Sequence, residues 1–109
     1  MKAMLFSVFE DSRETQEMLS FLQEQGYNGT LMGASSVNHA FSGKGNAAAA
    51  YSLADFAEGV KDPNLAAFFL LDEEELPKVQ AIIREKSGNF QTIHGMMIVV
   101  PVTSFEGSF

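Results

Sequence analysis

The hydrophobic pattern divides the chain into short, nearly continuous apolar runs and longer stretches with helical spacing. Ala3 to Phe9 is apolar on both faces, with Ser7 its one polar residue; a run this short, rich in Phe and Val, predicts a buried central strand. Asp11 and Glu14 have the spacing of a capping box. Met18, Leu19 and Leu22 follow as an inward stripe, with Phe21 at its margin. Gly26 stands where a helix ends in a left-handed residue, so a helix is predicted over 12–25. Tyr27 to Val37 reads as a weaker strand, since Gly29 and Gly33 lower its propensity.

Leu65 to Leu71 is a third strand, apolar throughout. Asp72 and Glu75 repeat the capping-box spacing, and Leu76, Val79, Ile82 and Ile83 supply the inward face of a second helix. Pro77 must sit in its first turn, because deeper in the helix it would remove a hydrogen bond and clash. That moves the expected start toward Glu75, and Gly88 marks the end. Met96 to Val102 is the last strand, with Pro101 pointing to a sheet edge or a strand end. The order strand, helix, strand, long loop, strand, helix, strand predicts one α+β domain over 1–109. It is the ferredoxin-like βαββαβ arrangement: an antiparallel sheet with both helices on one face. Because three of the strands are apolar on both sides, the other sheet face also needs a cover, and a second copy of the chain is the simplest one. A homo-oligomer is expected.

Residues 38–63 are the odd part of the chain. They hold Ser42-Gly43-Lys44-Gly45-Asn46, an alanine run at 47–50 compatible with a short helix, and flanks that read as a mobile central loop. Loops beyond roughly 12–15 residues in a compact domain are uncommon and usually functional or disordered. A segment that orders around a ligand is a standard route from binding to signalling.

Composition narrows the function classes. The formal charge is −7, from fourteen acidic and seven basic residues. Nucleic acids and anionic membranes select basic surfaces, so neither is an expected partner. The chain has no cysteine, which removes disulfides, thiolate metal sites and thiol nucleophiles. Met1 to Phe9 is too short, and too soon followed by Glu10 and Asp11, for a signal peptide. No apolar run approaches the roughly 20 residues of a membrane helix. A cytoplasmic protein is expected, without a cofactor or metal.

Candidate chemistry is sparse. His39 and His94 are the two histidines, and no orienting partner is visible for either. The run Asp72 to Glu75 reads as a helix start favoured by the dipole. Glycines beside Lys44 present backbone N–H groups and a charge to an anion, but the Walker spacing is missing. Three clusters of small residues remain. They are Gly29-Thr30 with Gly33 to Ser36, the Gly43-Lys44-Asn46 stretch, and His94-Gly95. Each has a plain structural reading as a twisted edge, a flexible loop and a bulge. Together they are candidate ligand-binding residues: Gly29, Thr30, Ser35, Ser36, Gly43, Lys44, Asn46, His94 and Gly95. On the expected sheet they converge near the base of the central loop. Phe41, Tyr51 and Phe56 are candidate apolar anchors for a protein partner.

The first strand, the Gly26-Tyr27-Asn28-Gly29 turn, the long loop between strands two and three, and the closing Met96-to-Phe105 segment resemble the PII-like family of small trimeric ferredoxin-like signalling proteins. The run Gly95-Met-Met-Ile-Val-Val-Pro-Val-Thr-Ser-Phe105 is most similar to its cyclic di-AMP receptor branch. The resemblance implies a homotrimer and an effector, an adenine nucleotide or cyclic dinucleotide, held between subunits at the loop base. In it Thr30 corresponds to a ligand-contacting Thr and His94-Gly95 to a Gly-Gly. The branch's G-G-F-L-x-x-G-N stretch is replaced here by Ser36-Val37-Asn38-His39, with a Gly-Asn only at Gly45-Asn46. Lys44 is the one basic residue between Arg13 and Lys61, which disfavours a triphosphate. The expected function is therefore a non-enzymatic regulator signalling through residues 38–63. The alternatives are a ligand-free interaction module and a cofactor-free dimeric α+β barrel enzyme with His39 or His94 as base.

Overall fold

The computed structural model describes residues 1–35, 37 and 64–107. The expected central loop and its alanine run lie outside these residues. The predicted second strand, Tyr27 to Val37, shortens to Thr30–Ala34, and Val37 is helical and exposed rather than paired in the sheet. The elements are β1 (Lys2–Glu10), α1 (Arg13–Glu24), β2 (Thr30–Ala34), β3 (Asn64–Asp72), α2 (Leu76–Lys86) and β4 (Gly95–Val102). The four strands form one antiparallel sheet in the order β2-β3-β1-β4. This is the ferredoxin-like α+β fold.

Side chains alternate across a strand, and in β1 Ala3, Leu5, Ser7 and Phe9 are buried while Lys2, Met4, Phe6 and Val8 are half-buried. The register sets Leu5 opposite Phe69 and Ala3 opposite Leu71 on the buried face. Met18 and Leu22 of α1, and Val79 and Ile83 of α2, pack with them into one core. Both helices therefore cover the same face. The buried Ser7 hydroxyl donates to the Ala67 carbonyl at 3.1 Å, so it leaves no unsatisfied polar group in that core.

Two expected capping boxes are not made. Ser12, extended at φ −141°, caps α1 by accepting from the Thr15 N–H. The buried Thr15 hydroxyl donates to the Glu10 carbonyl at 2.6 Å, tying the helix start to the end of β1. Asp11, one residue too early, accepts instead from the Gln16 side chain. At α2, Glu75 occupies the cap position without a side-chain cap bond, and Pro77 lies in the first turn as its chemistry requires. Asp72 ends β3 and is paired with Lys2.

Both helices stop in the same way. In α1 the Gly26 N–H donates to Gln23 and the Tyr27 N–H to Leu22; in α2 the Gly88 N–H donates to Glu85 and the Asn89 N–H to Arg84. These are Schellman motifs with Gly26 and Gly88 at positive φ. The first explains why β2 begins at Thr30 rather than at Tyr27: the Tyr27 N–H already serves the helix end.

Two substitutions test this reading by urea denaturation. Leu5→Ala, at the centre of the core, is expected to cost about 2–5 kcal/mol. Ser12→Ala is expected to cost about 1 kcal/mol, and Asp11→Ala clearly less; equal losses at 11 and 12 would reverse the assignment of the cap.

Candidate functional site

Three indentations of the surface meet at the connection from α1 to β2, Tyr27 to Thr30. A cavity of about 860 Å³ opens on the side of the sheet that neither described helix covers and is lined by Lys2, Asn28, Gly29, Thr30, Phe68, Leu70 and Phe105 to Gly107. A second of about 450 Å³ lies between Lys2, Tyr27, Asp72 and Glu75, and a third of about 180 Å³ lies behind β2 against Leu19 and Gln23 of α1. Asn28 lines all three.

Topology builds the largest of these three cavities. β4 ends with Val102 opposite Lys2, and the chain beyond it turns across the sheet so that Phe105 to Gly107 faces Phe68, Leu70 and Thr30. Phe68 and Thr30 are register partners on adjacent strands, giving the floor one aromatic ring and one hydroxyl. Phe105, half exposed, supplies a second ring, with the Lys2 ammonium 5.9 Å from its centroid.

Two polar contacts frame the neighbouring groove. Lys2 pairs with Asp72 at 2.8 Å, and this hydrogen bond, aided by the ammonium charge, holds the Asp72 carboxyl below the usual carboxylate range. The Tyr27 hydroxyl donates to Glu75 at 2.7 Å. That bond, followed by desolvation and the carboxylate charge, pushes the phenol above its ordinary value. The aromatic rings suit a flat heteroaromatic group. Among the described residues Lys2 is the cation lining the largest cavity, with Glu106 as an acid beside it.

Of the sequence candidates, Gly29 and Thr30 line this site. Their glycine has a packing reason: a Cβ at Gly29 would lie 2.6 Å from the Phe68 carbonyl oxygen and 2.7 Å from the Phe69 ring. Gly95 is of the same kind, since a Cβ there would overlap the Val8 carbonyl and the Phe9 ring; the reading of His94-Gly95 as a bulge gives way to a close approach at the start of β4. Ser35 follows β2 at the end far from Gly29. Ser36, His39, Phe41, Gly43, Lys44, Asn46, Tyr51 and Phe56 lie outside the described residues.

The expected convergence of Thr30 with His94-Gly95 is not made within one chain. β2 and β4 are the opposite edges of the sheet, and three strand spacings separate them by roughly 14 Å. Sequence reasoning missed Lys2, Tyr27, Asn28, Phe105 and Glu106. Their signals were weak: an end-of-strand charge, a turn, and a tail with no element of its own.

No protein-family model matches this chain, and no curated protein matches it. Solved structures do. One is a protein of unknown function from Pediococcus pentosaceus, 13% identical, with a TM-score of 0.63 over 98% of this chain and 97% of the other. Another is a provisionally assigned PII-like signalling protein from Thermus thermophilus, 12% identical, with a TM-score of 0.52 over 92% of this chain and 87% of the other. At these identities the likeness establishes the fold. No helix among the described residues is long and apolar enough to cross a membrane.

The two polar contacts predict opposite pH limbs. A carboxyl whose pKa is lowered by folding stabilises above the ordinary carboxylate value, and this contribution is lost as pH falls through the folded pKa. A phenol whose pKa is raised stabilises below its ordinary value and loses that contribution as pH rises through the folded pKa. Asp72→Asn should therefore flatten the acid limb of the stability–pH curve and leave the alkaline limb alone. Tyr27→Phe should do the reverse. Identical curves for wild type and both variants would show that neither contact is formed in solution.

Proposed function

We propose that this protein is a PII-like homotrimeric regulator that binds a small nucleotide-type effector at subunit clefts and signals to a protein partner through residues 38–63. On this reading it is a cytoplasmic non-enzyme. The observation that carries the proposal is the aromatic-walled cavity at the entry to β2, lying at one end of an apolar sheet face that no described helix covers.

That face supports the oligomer. Met4, Phe6, Val8, Phe68 and Leu70 run across its centre, and Met96, Ile98 and Val100 continue it to the β4 edge, still 37–55% exposed at these last three. Contiguous apolar surface of this kind marks an association site. The edges support the cleft. Thr30 and His94-Gly95 stand on opposite margins of one sheet, so only a neighbouring copy brings them together, and an effector held there would link the subunits. Phe68 and Phe105 suit a base. The pairing of Lys2 with Asp72 and the presence of Glu106 make the described part of the site a poor cradle for several phosphates, which favours a cyclic dinucleotide or a monophosphate over a triphosphate. The Thermus thermophilus structure adds that this fold occurs in a protein given a PII-like signalling assignment.

Two measurements test the proposal. In a thermal-shift screen of adenine nucleotides and cyclic dinucleotides, the effector should raise the melting temperature, with stabilisation of about 2.7 kcal/mol at a hundredfold excess over Kd. Phe105→Ala should remove most of that response. A flat screen at millimolar concentration would leave the ligand-free interaction module as the better reading. In sedimentation, the wild type should run as a trimer and Ile98→Asp as a folded monomer; a wild-type monomer, or a dimer as the barrel enzyme reading requires, would overturn the trimeric assembly.

A further inference from the structure

We propose that Asn28-Gly29 is a site of spontaneous covalent modification, where Asn28 deamidates and isomerises through a cyclic imide with the Gly29 nitrogen. The inference is independent of any effector. It begins with the place of the pair in the fold. Asn28 and Gly29 belong to neither helix nor strand: they bridge the Schellman end of α1 and the first residue of β2, and both are exposed. Asparagine is among the thermally labile side chains. Its lability is greatest where the next residue is glycine, because the attacking backbone nitrogen then carries no side chain to obstruct it.

The structure gives the chain little freedom to remove this hazard. Any Cβ at position 29 would press on the Phe68 carbonyl and the Phe69 ring, so the residue after Asn28 is held as glycine by packing. Asn28 meanwhile lines three cavities, which leaves its side-chain amide open to water.

The chemistry balances without an oxidant or reductant. The Gly29 nitrogen bonds to the Asn28 side-chain carbonyl carbon, and the side-chain nitrogen leaves as ammonia, taking the proton from the Gly29 N–H. Water then adds to the imide. Breaking the bond from nitrogen to the side-chain carbonyl gives an ordinary aspartate at position 28. Breaking the bond to the main-chain carbonyl gives an isoaspartate. The net change is amide plus water to carboxylic acid plus ammonia. Each product has a structural consequence. Isoaspartate inserts a methylene into the backbone directly before Gly29, moving it from its seat against Phe69. Aspartate adds a carboxylate to a region that already holds Asp72, Glu75 and Glu106.

The test is to age the purified full-length chain for weeks at physiological temperature and mildly alkaline pH. Peptide mapping with fragmentation that separates aspartate from isoaspartate follows the products, and isoaspartyl methyltransferase labelling checks them. Asn28 should convert several-fold faster than Asn64 and Asn89, which precede Leu65 and Phe90, with isoaspartate the larger product. The aged protein should show a second, lower melting transition, which Asn28→Gln lacks. Conversion at Asn28 no faster than at Asn64 and Asn89 would overturn the proposal, and the mapping reads this from the wild type whether or not the variant folds.

Discussion

β1 is the constraint on which the molecule depends. It pairs along its whole length with β3 and along Lys2–Phe9 with β4, so every other element is placed relative to it. Its register puts Leu5 and Phe69 on the helix side and Phe6 and Phe68 on the other. A slip of one residue would exchange the two faces, burying Lys2 under the helices and expelling Phe9. Apolar residues on both faces look like a lack of specification, but the exchange is not neutral. Ser7 bonds to Ala67 only in the observed register, and Lys2 meets Asp72 only at the open end. These polar groups make the register unique while the apolar ones supply the driving force.

The two edge strands meet this central pair by one device. Each is entered through a glycine whose backbone lies against an aromatic ring of the strand beside it, Gly29 by Phe69 and Gly95 by Phe9. Phe9 is itself stacked on Phe90 at 6.0 Å, and Phe90 sits at a positive φ with its N–H bonded to the buried Ser87 hydroxyl. A ring over a bare backbone shields an edge that has no side chain of its own to do so. The glycines that suggested ligand contact from sequence thus have a packing role first. Thr30 is different: it stands opposite Phe68, exposed among the described residues on the side away from the two helices.

Much of the fold was legible because its signals are local. Apolar runs marked β1, β3 and β4, the stripes through Met18–Leu22 and Val79–Ile83 marked the helices, and Gly26, Pro77 and Gly88 marked their ends. What was not legible depends on which of several partners a polar group takes, near or distant in sequence. The cap moved from Asp11 to Ser12 because Thr15 is drawn to the Glu10 carbonyl at the strand end. The Asp72 carboxylate went to Lys2 and that of Glu75 to Tyr27, not to the helix start. The candidate site suffered most. That residues 30 and 95 fall on opposite edges follows from the ferredoxin-like strand order, with which the expected convergence is inconsistent; that Phe105 returns to face Thr30 has no signal in the spacing along the chain.

The same geometry relates the site to the sheet face that neither described helix covers. Across most of that face, covering Phe6, Phe68, Ile98 and their neighbours with another subunit would desolvate only hydrocarbon and aromatic surface, which favours association. At its Lys2 end the situation reverses. Lys2, Asp72, Glu106 and the Thr30 hydroxyl would each lose water, and a desolvated ion pair is repaid only when its remaining hydrogen-bonding capacity is met. An assembly that closes the apolar part therefore gains by leaving the polar end open, as a cleft. Lys2 is the group best suited to respond there. Its bond to Asp72 is partly exposed and so weakly held, and its ammonium also faces the Phe105 ring. A ligand that offers Lys2 one anionic oxygen while stacking a flat group between Phe68 and Phe105 would replace both contacts at little cost, whereas a purely anionic ligand would still face Asp72 and Glu106.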